Sequence, residues 1–331
     1  MLGLGSIGRR HCQLLLDHGI SVGAWTPSAL LSCAELEKHR NFIFFKDLNL
    51  ALSRPWDCLY VCTVSSHHRF CLELALRKRL NIFVEKPVCV SFAGLPTVVE
   101  CFERYGLLTH VGSNMRFHFG PERLKELIES REFGDVVSAQ IYAGMRLTDW
   151  KPNQNYRHSY SAKKSLGGGA TLDFIHEIDL INWLFGFPGS VSASVVNTGA
   201  LEIETEDSVD AILKVGNKVL NLHLDYLRRP FERRIEINFE SGFARWCLSS
   251  NDVITNSYLS GEIRYETAPA FWEHQTMYEK QTEYWLNCLK HGVCSMSDLA
   301  QGVRALQIAE AIKLSGASDS KNIELEEINE F

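Results

Sequence analysis

The sequence has no apolar run near the roughly 20 residues that cross a bilayer. Nor does its N-terminal stretch join basic residues to an apolar segment, so neither a membrane span nor a secretory leader is expected. A long basic block is missing and the net charge is −6. That excludes a protein whose affinity rests on neutralising nucleic-acid phosphates. There is no C-x-x-C pair and no His/Cys cluster at zinc spacing, so no metal is expected. The ten cysteines are scattered. Cys58 and Cys62 share one apolar run, DCLYVCTV, as buried thiols, and this usage fits a reducing, cytoplasmic setting. Internal repeats and low-complexity linkers are also lacking.

What is present is an ordinary globular balance, 45% hydrophobic and 22% charged residues, over 331 positions, long enough for two cores. The first third alternates short apolar or β-branched runs with helical patterns. GISVGAW (19–25), NFIFF (41–45), DCLYVCTV (57–64), LNIFVEKPV (80–88) and LLTHVGSN (107–114) read as strands. SIGRRHCQLLLDHG (6–19), SALLSCAELEKH (28–39), HRFCLELALRKR (68–79) and AGLPTVVECFERYG (93–106) read as helices. Such alternation predicts a doubly wound parallel sheet with helices on both faces, an α/β Rossmann domain over 1–118. After it come a helix, PERLKELIES (121–130), and a strand, VVSAQIYAG (136–144). A polar loop runs to about residue 166, and an apolar helix follows through DFIHEIDLINWLFG. Strand-like runs joined by turns then predict an open, mainly antiparallel sheet in an α+β domain over 119–331. The tail helix 296–316 is expected to pack back on the first domain.

The chain opens MLGLGSIGRRH. Gly3, Gly5 and Gly8 have the spacing of a dinucleotide-binding turn, followed directly by a helix and a strand. Gly3 would permit the turn, Gly5 would let backbone approach a pyrophosphate at the helix N-terminus, and Gly8 would let helix and strand pack closely. Ordinary turns also produce this spacing, and two parts of the fingerprint are missing. Only Met1 and Leu2 precede the turn, where a strand of about 5–6 residues is usual. The expectation is a first strand stunted at its start that keeps its carboxyl end. About five apolar residues added upstream should then raise the melting temperature and tighten cofactor binding. The second missing part is an acidic residue after strand two, where AWTPS (24–28) stands. Thr26 and Ser28, with Arg9 or Arg10 nearby, could instead take a 2′-phosphate, a lean from NAD towards NADP. The alternative for Arg10 is an exposed helix position.

Two stretches carry chemistry. FVEKPV (83–88) puts Lys86 at the carboxyl end of a strand, where ligands of open α/β sheets bind. A surface lysine after a strand is the plain alternative. GGGATLDFIHEIDL (167–180) carries Asp173 and His176 three apart, which on one continuous helix share a face, so a carboxylate can orient an imidazole base. The alternative is a helix N-terminus that Asp173 caps, with His176 a satisfied core residue.

GLGSIGRRH, VSSHH (64–68), VEKPV, VGSNMRF (111–117) and GGGATLDFIHEIDL, in this order and spacing, resemble the Gfo/Idh/MocA family, the glucose–fructose oxidoreductase and inositol dehydrogenase group. The resemblance covers nearly the whole chain. It implies transfer of hydride between NAD(P) and a hydroxyl-bearing carbon of a sugar, nucleotide sugar or cyclitol. The loop 149–169 is similar to a branch associated with surface-sugar pathways. By resemblance, cofactor contacts fall to Gly3, Gly5, Ser6, Ile7, Gly8, Thr26, Ser28, Thr63, His68, Glu85, Lys86 and Asn114. Catalysis falls to Lys86, His176 and Asp173, and Arg116 matches the family's N-x-R-F position. Arg116 and, in the polar loop, Tyr156, Arg157 and Lys163 are candidates for a substrate rim, a plain surface loop being the alternative. His176 is the base and Lys86 steadies the developing alkoxide, or the two exchange roles. Many members space the aspartate four residues before the histidine; here the spacing is three. A homodimer or homotetramer through the open sheet is implied. A catalytically silent dinucleotide-binding regulator of the same fold is the rival reading, and a dehydratase or glycosidase that recycles bound NAD is a third.

Overall fold

The structure, a computed structural model, describes residues 1–27, 33–150, 152 and 155–327. It divides into two units. One holds Met1–Asn114 and His274–Val303; the other holds Met115–Glu273 and the chain from Arg304. The boundary thus falls at Asn114, not after residue 118, and the chain returns to the first unit at His274.

In the first unit the order is α1 (Ser6–Asp17), β1 (Val22–Ala24), β2 (Phe42–Phe44), α2 (Leu48–Leu52), β3 (Cys58–Val61), α3 (His68–Lys78), β4 (Asn81–Val84), α4 (Leu95–Arg104) and β5 (Thr109–Val111). β1 pairs with β2, and β3 with β4 and β4 with β5, all in parallel. Leu2 joins the two groups, bridging Trp25 on one side and Val61 on the other, both in parallel. Its neighbourhood carries four strand-like bonds. Leu2 N–H donates to Tyr60 O (2.7 Å), Cys62 N–H to Leu2 O (2.8 Å), Trp25 N–H to Met1 O (2.9 Å) and Gly3 N–H to Trp25 O (2.9 Å). This is the expected stunted strand, reduced to its carboxyl end.

Of the helix expected over 28–39, residues 28–32 lie outside the described residues, and in the remainder a 3₁₀ turn, Leu36–Lys38, stands where helix was expected. Cys33, ahead of the turn, and Leu36, within it, are both buried.

The second unit begins with α5 (Phe119–Ser130), β6 (Val136–Gly144), α6 (Leu147–Trp150), α7 (Ala170–Asp173) and α8 (Ile175–Phe185). Seven strands follow: β7 (Ser190–Val196), β8 (Ser208–Val215), β9 (Lys218–Asp225), β10 (Glu232–Phe239), β11 (Gly242–Cys247), β12 (Asp252–Ser257) and β13 (Ile263–Thr267). Helix α9 (His274–His291) belongs to the first unit; α10 (Leu299–Ala317) and β14 (Ile323–Glu324) end the described chain. Trp285 and Cys288 of α9 sit in one core with Leu4, Leu15, Val22 and Phe83.

The nine-stranded sheet runs β13-β12-β11-β10-β6-β9-β8-β7-β14. One pair, β6 with β9, is parallel. The sequence pattern does not announce it, because β6 is separated from the later strands by α6–α8 and inserts between β9 and β10. Strand β12, DVITNS, is too polar to stand out, yet it buries Val253 and Thr255. Along β8, Val209, Ala211, Leu213 and Val215 are buried while Asp210, Ile212 and Lys214 are exposed. That is the alternation of a sheet with one solvent face. Helices α5, α7 and α8 pack on strands of this sheet.

Helix α8 is buried almost all round, so its polar residues need partners. Arg116 reaches Asp179 through two parallel bonds, Nε to Oδ2 (2.9 Å) and Nη2 to Oδ1 (2.7 Å). The side chains are 0% and 4% exposed. Arg116 is therefore not on a substrate rim: its guanidinium is consumed by a buried carboxylate. Truncating one member strands a buried charge. Arg116→Leu should cost about 3–5 kcal/mol, and Arg116→Leu/Asp179→Leu should recover most of it. Urea denaturation of the three proteins reads this directly; a single variant as stable as the parent contradicts it.

Candidate active-site elements

The glycine turn is built as its spacing requires. Gly3 has φ +93°, and a Cβ there would lie 2.5 Å from Cys62 O. A Cβ on Gly8 would lie 2.1 Å from Gly3 O, so helix α1 and the turn touch backbone to backbone. At Gly5 nothing lies within 4 Å of that position. Gly5 and Ser6 are exposed and Ile7 half-buried. The N-terminus of α1 has no side-chain cap and no acidic residue in its first turn. Its free N–H groups and dipole end therefore face an open cradle suited to an anion.

Around this turn the expected cofactor residues divide. Thr26 and Thr63 are half-buried at the ends of β1 and β3. Ser28 lies outside the described residues. Asn114 is buried, 4% exposed. His68 does not face a ligand. It is 1% exposed, with Nδ1 2.8 Å from Pro87 O and Nε2 3.1 Å from Thr63 O. Its ring lies between the loop after β3 and the loop after β4; burial lowers its pKa, so the neutral imidazole donates to one of these carbonyls and not to both. Arg10 is not a plain exposed position either: its guanidinium lies 4.4 Å from the centre of the Tyr278 ring. Arg9 Nε donates to Leu4 O (3.1 Å).

Glu85 and Lys86 follow β4 at its carboxyl end. Lys86 is half-buried and Glu85 is 8% exposed. One Glu85 oxygen accepts the Lys86 backbone N–H (3.1 Å), and the other lies 2.7 Å from His11 Nε2. Sequence reasoning passed over His11, although 8, 11, 12 and 15 form the inward stripe of α1 and a histidine in such a stripe asks for a partner.

In the second unit the helix bearing Asp173 and His176 is broken. α7 ends at Asp173, Phe174 leaves helical geometry (φ −92°, ψ 30°), and His176 stands in the first turn of α8, 9% exposed. The two residues thus do not share the face of one continuous helix, and the spacing argument for a direct Asp–His couple does not apply. The Asp173 Oδ2 accepts the hydroxyl of Tyr226 at 2.6 Å. Tyr226 is fully buried, its ring crossed edge-on by Trp150 at 5.5 Å. Burial, with the Asp173 carboxylate beside it, pushes the Tyr226 phenol above its ordinary pKa, so it is a donor near neutral pH. The start of α7 is held by Glu206, which accepts Thr171 Oγ1 (2.7 Å). No sequence spacing points to Tyr226 or Glu206; both arrive through the fold of the sheet.

The expected polar loop residues also divide. Tyr156 and Lys163 are half-buried. Arg157 is paired with Glu202 through two bonds, 2.8 and 2.6 Å, on the surface, so its fork is already occupied. Among the described residues no group of three His, Cys, Asp or Glu could hold a metal ion. No described helix is long and apolar enough to cross a membrane.

Comparison with known proteins agrees with this layout. Residues 1–113 match "Oxidoreductase family, NAD-binding Rossmann fold", and residues 122–245 match "GFO/IDH/MocA C-terminal domain". The chain belongs to the Gfo/Idh/MocA oxidoreductase family. Its sequence is similar to the 2,7-anhydro-N-acetylneuraminate hydratase of Escherichia coli (strain K12), 26% identical over 137 residues, 41% of this chain and 36% of the relative. That match spans little more than a third of the relative's length. It is also similar to the myo-inositol 2-dehydrogenase of Thermotoga maritima, 22% identical over 350 aligned positions, 99% of this chain and 98% of the relative. Among solved structures, levoglucosan dehydrogenase in complex with NADH and levoglucosan shares the fold. Its TM-score is 0.87 at 16% identity, over 98% of this chain and 97% of that one.

The Tyr226–Asp173 bond yields a direct expectation. Removing the one hydroxyl in Tyr226→Phe keeps the ring packing and deprives a buried carboxylate of a donor. The cost should be about 1.5–3 kcal/mol, read by urea denaturation. A variant within 0.3 kcal/mol of the parent would show that the bond carries no weight.

Proposed function

We propose that this protein is an NAD(P)-dependent dehydrogenase/reductase that oxidises a secondary alcohol, or reduces the ketone, of a sugar, nucleotide sugar or cyclitol. The observation that carries the reading is the half-buried Lys86 at the carboxyl end of β4, in the same parallel layer as an open glycine cradle at the N-terminus of α1.

The residues present fit the dinucleotide. The amides after Gly5 would hold its pyrophosphate, with Thr26, Thr63 and Glu85 along the strand ends. When bound, the nicotinamide ring accepts or gives two electrons as hydride. His176 takes the proton of the substrate hydroxyl; a neutral imidazole suits this near pH 7. Lys86 supplies positive charge where the alkoxide develops. Asp173, fixed by Tyr226, accepts a further substrate hydroxyl. Tyr156 and Lys163 furnish polar contacts in the loop before α7. Trp25–Pro27, the described residues after β1, offer no carboxylate to a ribose hydroxyl pair, which favours NADP over NAD.

The exposed face of the nine-stranded sheet supports self-association. Ile212 and Val219 stand 50% and 41% exposed on it, around a hollow of about 480 Å³ lined by Tyr142, His223 and Arg234 among others. Ile212→Asp should lower the mass measured by light scattering to that of one chain; a parent that is already monomeric removes the proposal. All ten cysteines are free, which suits a reducing compartment such as the cytoplasm.

A second reading is favoured by the similarity to a protein named as a hydratase: redox steps that cancel over one turnover. The regulator reading differs again, in binding dinucleotide without turnover. One assay separates them. Purified protein is incubated with NAD or NADP and a panel of sugars, nucleotide sugars and cyclitols. Net reduced nicotinamide marks a dehydrogenase, product without net reduction a hydratase-like enzyme, and binding alone a regulator. For the dehydrogenase, Lys86→Ala and His176→Ala should each lower kcat by about 10²–10⁴, with NADP used better than NAD. Full activity in both variants would remove the assigned roles.

A further inference from the structure

We propose that His11 is a positioning residue for the cofactor site, holding the Glu85 carboxylate in the orientation that dinucleotide binding requires. The inference rests on the dinucleotide-dependent reading above and extends it to a residue of α1.

The His11 ring is 1% exposed and fixed on several sides. Phe83 meets it at 4.8 Å and Tyr278 at 5.9 Å, both edge to face, and Tyr60 lies tilted at 6.3 Å. Nε2 is the edge that meets a carboxylate, 2.7 Å from Glu85 Oε1. With the carboxylate ionised, the hydrogen between them resides on Nε2, and the imidazole donates. Glu85 has little other freedom. Its second oxygen accepts the Lys86 backbone N–H, and its carboxyl group lies against Gly112, where a Cβ would sit 2.9 Å away. Any side chain at 112 would displace the carboxylate.

The arrangement ties two parts of one site. α1 begins at the glycine cradle, and one and a half turns later the same helix presents His11 to the end of β4. There the carboxylate at Glu85 and the cation at Lys86 are consecutive. An apolar residue at 11 would leave Glu85 Oε1 without its donor, while Oε2 keeps the Lys86 N–H, and the carboxylate would turn. That alters the acceptor that Glu85 offers to a bound dinucleotide and where its charge lies beside Lys86. The packing around the ring is apolar and would tolerate leucine, so the loss is one of direction and charge, not of folding.

The test measures NADP(H) and NAD(H) dissociation constants by fluorescence titration for the parent, His11→Leu and His11→Gln, with melting temperature and far-UV circular dichroism recorded for each. Gln Nε2 reaches about where imidazole Nε2 does and restores the donor. His11→Leu should weaken dinucleotide binding tenfold or more, and His11→Gln should stay within about threefold of the parent. A purely structural role predicts instead that binding follows melting temperature in both variants. A folded His11→Leu protein with the parental dissociation constant overturns the proposal, as does a Gln variant no better than Leu. If His11→Leu does not fold, Glu85→Gln and Glu85→Gln/His11→Gln read the same pair. Losses that simply add overturn the proposal; a double variant no worse than Glu85→Gln supports it. A parent that binds neither dinucleotide overturns both this inference and the reading beneath it, whereas a parent that binds normally beside an indifferent His11→Leu removes this inference alone.

Discussion

Four backbone hydrogen bonds at Met1–Gly3 hold the first unit's sheet together. Without them β1–β2 and β3–β4–β5 are separate pairs of edges. With Met1–Gly3 between them they form one parallel layer, bonded on one flank to Trp25 and on the other to Tyr60 and Cys62. An isolated two-stranded piece is marginal in water, so the order of the unit hangs on this short stretch. The same residues end in Gly3, whose turn puts the N-terminus of α1 at the carboxyl edge of the sheet.

From that constraint the rest of the cofactor side follows. Gly8 can touch Gly3 only because neither carries a side chain, and this contact sets the depth at which α1 lies on the sheet. That depth brings His11 against Phe83 and Glu85. Glu85 and Lys86, being consecutive, then leave the end of β4 with one carboxylate anchored and one cation half-exposed. α9, far along the chain, supplies Tyr278 to stack under Arg10 and Trp285 to fill the core.

How much of this was legible depends on whether the signal was local. The strands of the first unit, the helices α1, α3 and α4, and most hairpin strands of the second unit are written as periodicities of 2 or 3.6 in contiguous residues, and the elements form there. The glycine turn and Lys86 are equally local. What could not be read is what the fold brings from a distance. Arg116 sits in an N-x-R-F stretch that looks like a polar rim, yet its partner Asp179 is 63 residues on and buried. The parallel insertion of β6 beside β9 has no local mark. His68 follows a strand as a cofactor contact would, but its ring is buried between two backbone carbonyls. The stretch 33–39 illustrates the opposite error. A helical pattern was present, but a 3₁₀ turn, Leu36–Lys38, forms there, with Cys33 and Leu36 buried.

The break at Phe174 carries the most consequence for how Asp173 and His176 are directed. On an unbroken helix the direction of Asp173 relative to His176 would follow from their spacing alone, and a spacing of three in place of four would rotate it by about 100°. The break removes that dependence. The carboxylate takes its direction from Tyr226, which is set by the end of β9, and the start of α7 takes its place from Glu206 in the chain just before β8. His176 takes its direction from α8, which Arg116 anchors through Asp179 and Arg233 through Glu177. Two polar groups are thus oriented by two independent sets of partners, each fixed by buried charge-assisted contacts. In such an arrangement the direction of each group is kept by its own partners and not by one helix that bears both.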